Sequence, residues 1–131
     1  MRTLMLALAA MALAASPALA ADARQPERDK KTVVDFYEKA LNQKDFDAEG
    51  PEGLRAFLGF LKEKFPNSRS EIKRVFADGD YVILHVHAVR EPGTRGNAIV
   101  DIFRLEDGKI VEHWDVVQPI PEKAANPNGM F

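Results

Sequence analysis

The chain has 131 residues, 18 Lys and Arg against 20 Asp and Glu, and no cysteine. That length holds one domain, and the missing cysteine excludes a disulfide framework, a thiolate metal site and a Cys nucleophile. A formal net charge of −2 lacks the basic excess that a general nucleic-acid binder carries, so no nucleic-acid partner is expected.

In chain order, Arg2 and the apolar run from Leu4 to Ala15 lead into Ser16-Pro17 and then Ala18-Leu19-Ala20. This is the pattern of a secretory signal peptide over 1–20, cleaved before Ala21. The run is shorter than the roughly 20 apolar residues of a membrane span. The expected product is periplasmic or secreted, with no membrane attachment after cleavage.

Residues 21–28 are polar, contain Pro26 and read as a flexible lead-in to a domain over 29–131. From Asp29 the spacing of Val33, Phe36, Tyr37, Ala40 and Leu41 predicts a helix with one buried stripe, ending near Asn42 to Lys44. Gly50-Pro51-Glu52 opens a second helix, with Pro at its first position. Its stripe is Leu54, Phe57, Leu58, Leu61 and Phe65, and Pro66 stops it.

Beyond Ser70 the period becomes two. Strands are predicted over Glu71–Ala77, Tyr81–Arg90, Asn97–Leu105 and Lys109–Gln118, with tight turns at Asp78-Gly79-Asp80 and Asp107-Gly108. Two helices followed by an antiparallel meander make an α+β domain with the helices on one sheet face. A domain this small buries roughly 65% of its unfolded surface. A deep pocket must therefore take its volume from the core, which makes a homodimer the expected assembly.

All three histidines fall in strands. His85 and His87 share a face with Tyr81, Ile83 and Val89, while Val82, Leu84, Val86 and Ala88 form the other. Asp101 lies between apolar neighbours and shares its face with Ile99 and Phe103. On an interior face it loses its water, which suits a general acid or base. The commoner alternative is an edge acid facing water or paired with Arg90 or Arg104. His113 and Asp115 share one face of the last strand, Glu112 and Trp114 the other. Trp114 by default packs in a core.

His85-x-His87 with Asp101, His113 or Asp115 offers metal-ligand types, but the spacing is weak and no HExxH-like helix supports it. No GxSxG, GxGxxG or phosphate-binding loop is present, so nothing supports nucleophilic catalysis or nucleotide binding.

Several segments together resemble the SnoaL-like polyketide cyclase family of the nuclear transport factor 2-like superfamily. They are Asp35-Phe36-Tyr37, Gly50-Pro51-Glu52-Gly53, Asp78-Gly79-Asp80-Tyr81-Val82 and His85-Val86-His87. Val100-Asp101-Ile102-Phe103-Arg104, Gly108 to Asp115 and Gln118-Pro119-Ile120-Pro121 complete the set. The pattern looks most like the group described as predicted SnoaL-like aldol-condensation enzymes.

The resemblance implies an α+β cone, with N-terminal helices packed on a curved antiparallel sheet around a pocket. It implies Asp101 as the acid/base assisted by His87, with His85, Tyr37, Phe103, His113 and Trp114 lining the pocket. No metal and no organic cofactor is implied. The activity implied is a lyase or isomerase acting on a small carbonyl substrate by aldol condensation or isomerisation. The alternative is a non-catalytic module of the same fold that holds an apolar ligand or partner. The chain departs from the family after the first helix, where about twenty residues of helix and strand are shortened to Phe46-Asp47-Ala48-Glu49.

Overall fold

The computed structural model describes residues 24–45 and 52–131. Helix α1 spans Gln25–Phe36 and continues as a π-helical stretch over Tyr37–Asn42, and helix α2 spans Glu52–Lys64. Four strands follow, β1 (Arg69–Asp78), β2 (Tyr81–Val89), β3 (Asn97–Glu106) and β4 (Lys109–Pro119). They form one antiparallel sheet in the order β1-β2-β3-β4. The α+β architecture is the expected one, and the four strands lie where the period of two places them. The signal segment, the shortened Phe46–Glu49 connection and the Gly50-Pro51 helix start lie outside the described residues.

Helix α1 begins at Gln25, earlier than Asp29, so the expected lead-in is helical at its end. Pro26 sits in the first turn, where its missing N–H has no intrahelical partner to lose, and Glu27 adds an acid there. The π-helical stretch is marked by the Gln43 N–H donating to the Glu38 carbonyl five residues back, at 2.9 Å. The helix stops after Asn42, and Lys44 adopts a left-handed φ of 58°. The Lys44 ammonium donates to the Leu41 carbonyl, capping the helix end.

The apolar face of β2 turns inward. Val82, Leu84 and Val86 are fully buried against Val33 and Tyr37 of the first helix and Phe103 and Leu105 of β3. Each such aliphatic side chain contributes about 1.5–3 kcal/mol by leaving water. Two bulges bend the sheet around this core, one between Ile72 and Arg74 and one between Arg104 and Leu105.

Turn chemistry closes the hairpins. Asp107 and Gly108, at φ 50° and 73°, form the two-residue loop between Glu106 and Lys109, which pair across it. Gly96, at φ +74°, enters β3 so close to β2 that a Cβ would stand 2.3 Å from the Ala88 carbonyl oxygen. No helix among the described residues is long and apolar enough to cross a membrane.

Candidate active site

Residues facing each other across an antiparallel pair point to the same side of the sheet. Leu84 faces Asp101, and Asp101 faces Asp115; Val82 faces Phe103, and Phe103 faces His113. Asp101, Asp115 and His113 therefore share the inner, helix-covered face with the core. Tyr37 meets them from the first helix, as the first residue of the π-helical stretch.

The carboxylate of Asp101 is held at both oxygens. His113 Nε2 lies 2.8 Å from Oδ1, and the Tyr37 hydroxyl donates to Oδ2. An ionised carboxylate only accepts, so Nε2 carries the hydrogen and Nδ1 is the basic nitrogen of the ring. The imidazole stacks on Phe103, with ring centroids 4.7 Å apart and planes 26° from parallel. Tyr37 in turn meets Phe103 edge-on at 6.4 Å.

Burial separates the roles within this group. The Asp101 side chain keeps only 5% of its exposure, whereas His113 keeps 42%. Burial first, then the charge and hydrogen bond of Asp101 and the charge of Asp115, push the Tyr37 phenol far above its ordinary value. Tyr37 is thus a fixed donor that holds its proton at any physiological pH.

A cleft of about 830 Å³ opens beside these groups, between α1, α2 and the inner sheet face. Phe36, Leu54, Phe57, Leu58, Leu61 and Ile99 supply much of its apolar wall. Tyr37, Asp101, Phe103 and His113 line it as well. Trp114 borders it from the edge strand, but its ring lies beside Tyr81, with centroids 6.5 Å apart, and is half exposed.

His85 and His87 stand elsewhere. They occupy the outer sheet face, because the apolar alternate of β2 took the core. His87 Nε2 lies 2.8 Å from the Arg95 carbonyl, and His85 Nδ1 lies 2.9 Å from an Arg74 nitrogen. Both rings pack on Phe131, at centroid distances of 5.0 and 5.2 Å. The structure therefore does not bring His87 to Asp101 or His85 to the cleft. His113 is the imidazole at Asp101.

Among the described residues, Asp101, His113 and Asp115 are also the group that could hold a divalent ion, with donor atoms within 4.8 Å of one another. A metal would have to replace the direct His113–Asp101 bond. As it stands, the arrangement is a hydrogen-bonded His–Asp pair facing an apolar cleft.

A helix-covered antiparallel sheet with a buried acid at the cleft wall defines the class, and comparison with known proteins agrees. The SnoaL-like domain model matches residues 27–113, and the chain belongs to that family. AclR of Streptomyces galilaeus, a proposed hydroxylase, superposes with a TM-score of 0.56 at 21% identity, over 72% of this chain and 91% of that one. A proposed polyketide cyclase from Acidithiobacillus ferrooxidans gives 0.53 at 17%, over 69% and 87%. IdmH of Streptomyces antibioticus, another proposed polyketide cyclase, gives 0.53 at 23%, over 71% and 91%. These likenesses establish a common fold. No curated protein sequence matches the chain.

Proposed function

We propose that this protein is an acid–base catalyst that enolises a small apolar carbonyl compound and carries it through aldol condensation or isomerisation. The observation that carries the reading is the His113–Asp101–Tyr37 chain at the wall of an apolar cleft. Family membership and the proposed cyclases among its structural neighbours support it at the level of reaction class.

The chemistry uses side chains alone. His113 Nδ1 accepts a proton alpha to the substrate carbonyl, and the C–H pair becomes the enolate. The imidazolium formed is stabilised by the carboxylates of Asp101 and Asp115, each with an oxygen within 4.8 Å of a ring nitrogen. In an aldol closure the enolate carbon bonds to a second carbonyl carbon, whose π pair moves to oxygen. That alkoxide takes the proton back from Nδ1. In an isomerisation the proton returns to a different carbon.

Export through the signal over residues 1–20 is part of this reading, with the reaction outside the cytoplasm. So is pairing with a second copy through the outer sheet face. There Phe76, Ile83, Ile102 and Trp114 form one apolar row across all four strands, with Phe76 and Trp114 55% and 47% exposed. An apolar row of this kind marks an interaction surface. Light scattering of the purified protein should give twice the chain mass.

The deciding experiment is deuterium exchange at the alpha carbon of a long-chain methyl ketone, followed by NMR in D2O. Exchange faster than buffer, lost in His113→Asn, supports the mechanism. Binding with no exchange assigns the cleft to a carrier.

A further inference from the structure

On the outer sheet face, β1 and β2 bring a fixed cation against an imidazole. Arg74 faces His85 across the strand pair, and a guanidinium nitrogen lies 2.9 Å from His85 Nδ1. A guanidinium only donates, so Nδ1 accepts, and His85 is neutral while the bond lasts, with its hydrogen on Nε2. A second proton on the ring sets two cations against each other at hydrogen-bond distance, and the contact must break. His87 is under no such constraint. Its Nε2 lies 2.8 Å from the Arg95 carbonyl, where neutral and protonated imidazole both donate, and Glu71 faces it across the same strand pair.

The groups around His85 do little to relieve a positive charge there. On β1, Lys73 pairs with Glu71 at 2.7 Å, and its ammonium stands 5.5 Å from the centre of the Phe131 ring that packs on His85. From β2, His87 packs on the same Phe131 ring. On β3, Val100 stands opposite His85 and carries no charge. Among the described residues no carboxylate pairs with Arg74.

Arg74 and His85 also border the apolar row of the outer face. Each stands two residues from a member of it, Phe76 in β1 and Ile83 in β2. Val100 and Val116 continue the border across β3 and β4, and both are exposed. A second copy seated on the apolar row therefore covers this border.

We propose that the Arg74–His85 contact makes the pairing of two copies sensitive to pH, so that they join at neutral pH and separate in mild acid. This rests on the outer-face pairing put forward above. In the single chain Arg74 is exposed and free to swing into water, which leaves His85 able to take a proton. Under a second copy neither cation keeps its water, and burying two like charges side by side is costly. Separate chains therefore bind more protons than the pair. By linkage, association weakens as pH falls through the range in which histidine changes charge, about pH 8 to 5.

Sedimentation equilibrium at about pH 7.5 and about pH 5.5, at one ionic strength, is the test. The dissociation constant of the wild-type pair is expected to rise about tenfold or more at the lower pH, since each copy takes up a proton. His85→Gln offers Arg74 an amide oxygen and gains no proton, so its pair should be equally tight at both values. Arg74→Gln, on the exposed edge strand, removes the fixed cation and should lose most of the change. His87→Gln should keep it. Circular dichroism at both values checks that each variant folds. A wild-type pair that is equally tight at both values overturns the switch while leaving the pairing in place. A change that survives in His85→Gln and Arg74→Gln overturns it too, as does one that disappears in His87→Gln. A single chain mass at about pH 7.5 removes the pairing, and the switch with it.

Discussion

His113 Nε2 and Asp101 Oδ1 meet at 2.8 Å although the two residues are not opposite each other in the sheet. Asp101 faces Asp115 and His113 faces Phe103, so the pair is diagonal across β3 and β4. Diagonal neighbours stand about 7–8 Å apart at Cα, within reach of an imidazole. Phe103 beneath the ring and Tyr37 at the far carboxylate oxygen hold the pair in one geometry.

Asp101→Asn keeps the shape but removes the acceptor charge that orients His113 and stabilises its protonated form. Ketone alpha-proton exchange should fall by about 10²–10⁴-fold, with far-ultraviolet circular dichroism unchanged. Undiminished exchange would exclude Asp101 from the chemistry.

The two faces of the sheet give a direct comparison between histidines. His113→Asn should lower exchange by about 10²-fold or more, whereas His87→Asn should leave it within about twofold, since the outer face carries none of the proton transfer. Measuring both variants against one ketone decides between them. A larger loss at His87 would restore the pairing that the sequence resemblance suggested.

Tyr37 sets an alkaline limit on stability. Its phenol is raised above its ordinary value in the folded protein, by burial first and then by Asp101. The unfolded chain, with an ordinary phenol at about 10, releases that proton first. The stabilisation is therefore fully present below pH ~10 and is lost as pH climbs above it. The chain has two tyrosines. Phenolate absorbance from Tyr37 should appear only when the protein unfolds. Tyr37→Phe leaves Asp101 Oδ2 without its donor, and chemical denaturation should show a loss of about 1–3 kcal/mol.

Gly96→Ala should destabilise by about 1–3 kcal/mol, because the site combines a left-handed φ with a backbone oxygen 2.3 Å from the added Cβ. Gly53→Ala, in an exposed helix with open space around the Cβ, is the control and should be neutral or slightly stabilising. Equal melting temperatures for the two variants would contradict the close approach of Gly96 to β2.

The resemblance of Val100 to Arg104 and of Gly108 to Asp115 pointed to Asp101 as the acid and put His113 in the pocket. The alternation of β2 already separated His85 and His87 from Val82, Leu84 and Val86. What stayed open was which of those two faces met the helices. The histidine face also carries Tyr81, Ile83 and Val89, so neither face was plainly the wet one. The more uniformly apolar set took the core, and His87 went outward with His85.

One residue in β4 decided the rest. Glu106 pairs with Lys109 and Leu105 with Ile110, but Arg104 pairs with Glu112, so Val111 is an extra residue in the strand. Counting evenly outward from the Asp107-Gly108 turn would bring Glu112 and Trp114 to the face of Asp101. The bulge slips the register by one and delivers His113 and Asp115 instead. Local patterning determined the helices, the strands and the turns, because each depends on residues within a few positions of one another, whereas the family resemblance and not the pattern singled out Asp101. Only the tertiary structure decided the acid's partners. With a side-chain period of two, a single unpaired residue reverses every side chain beyond it.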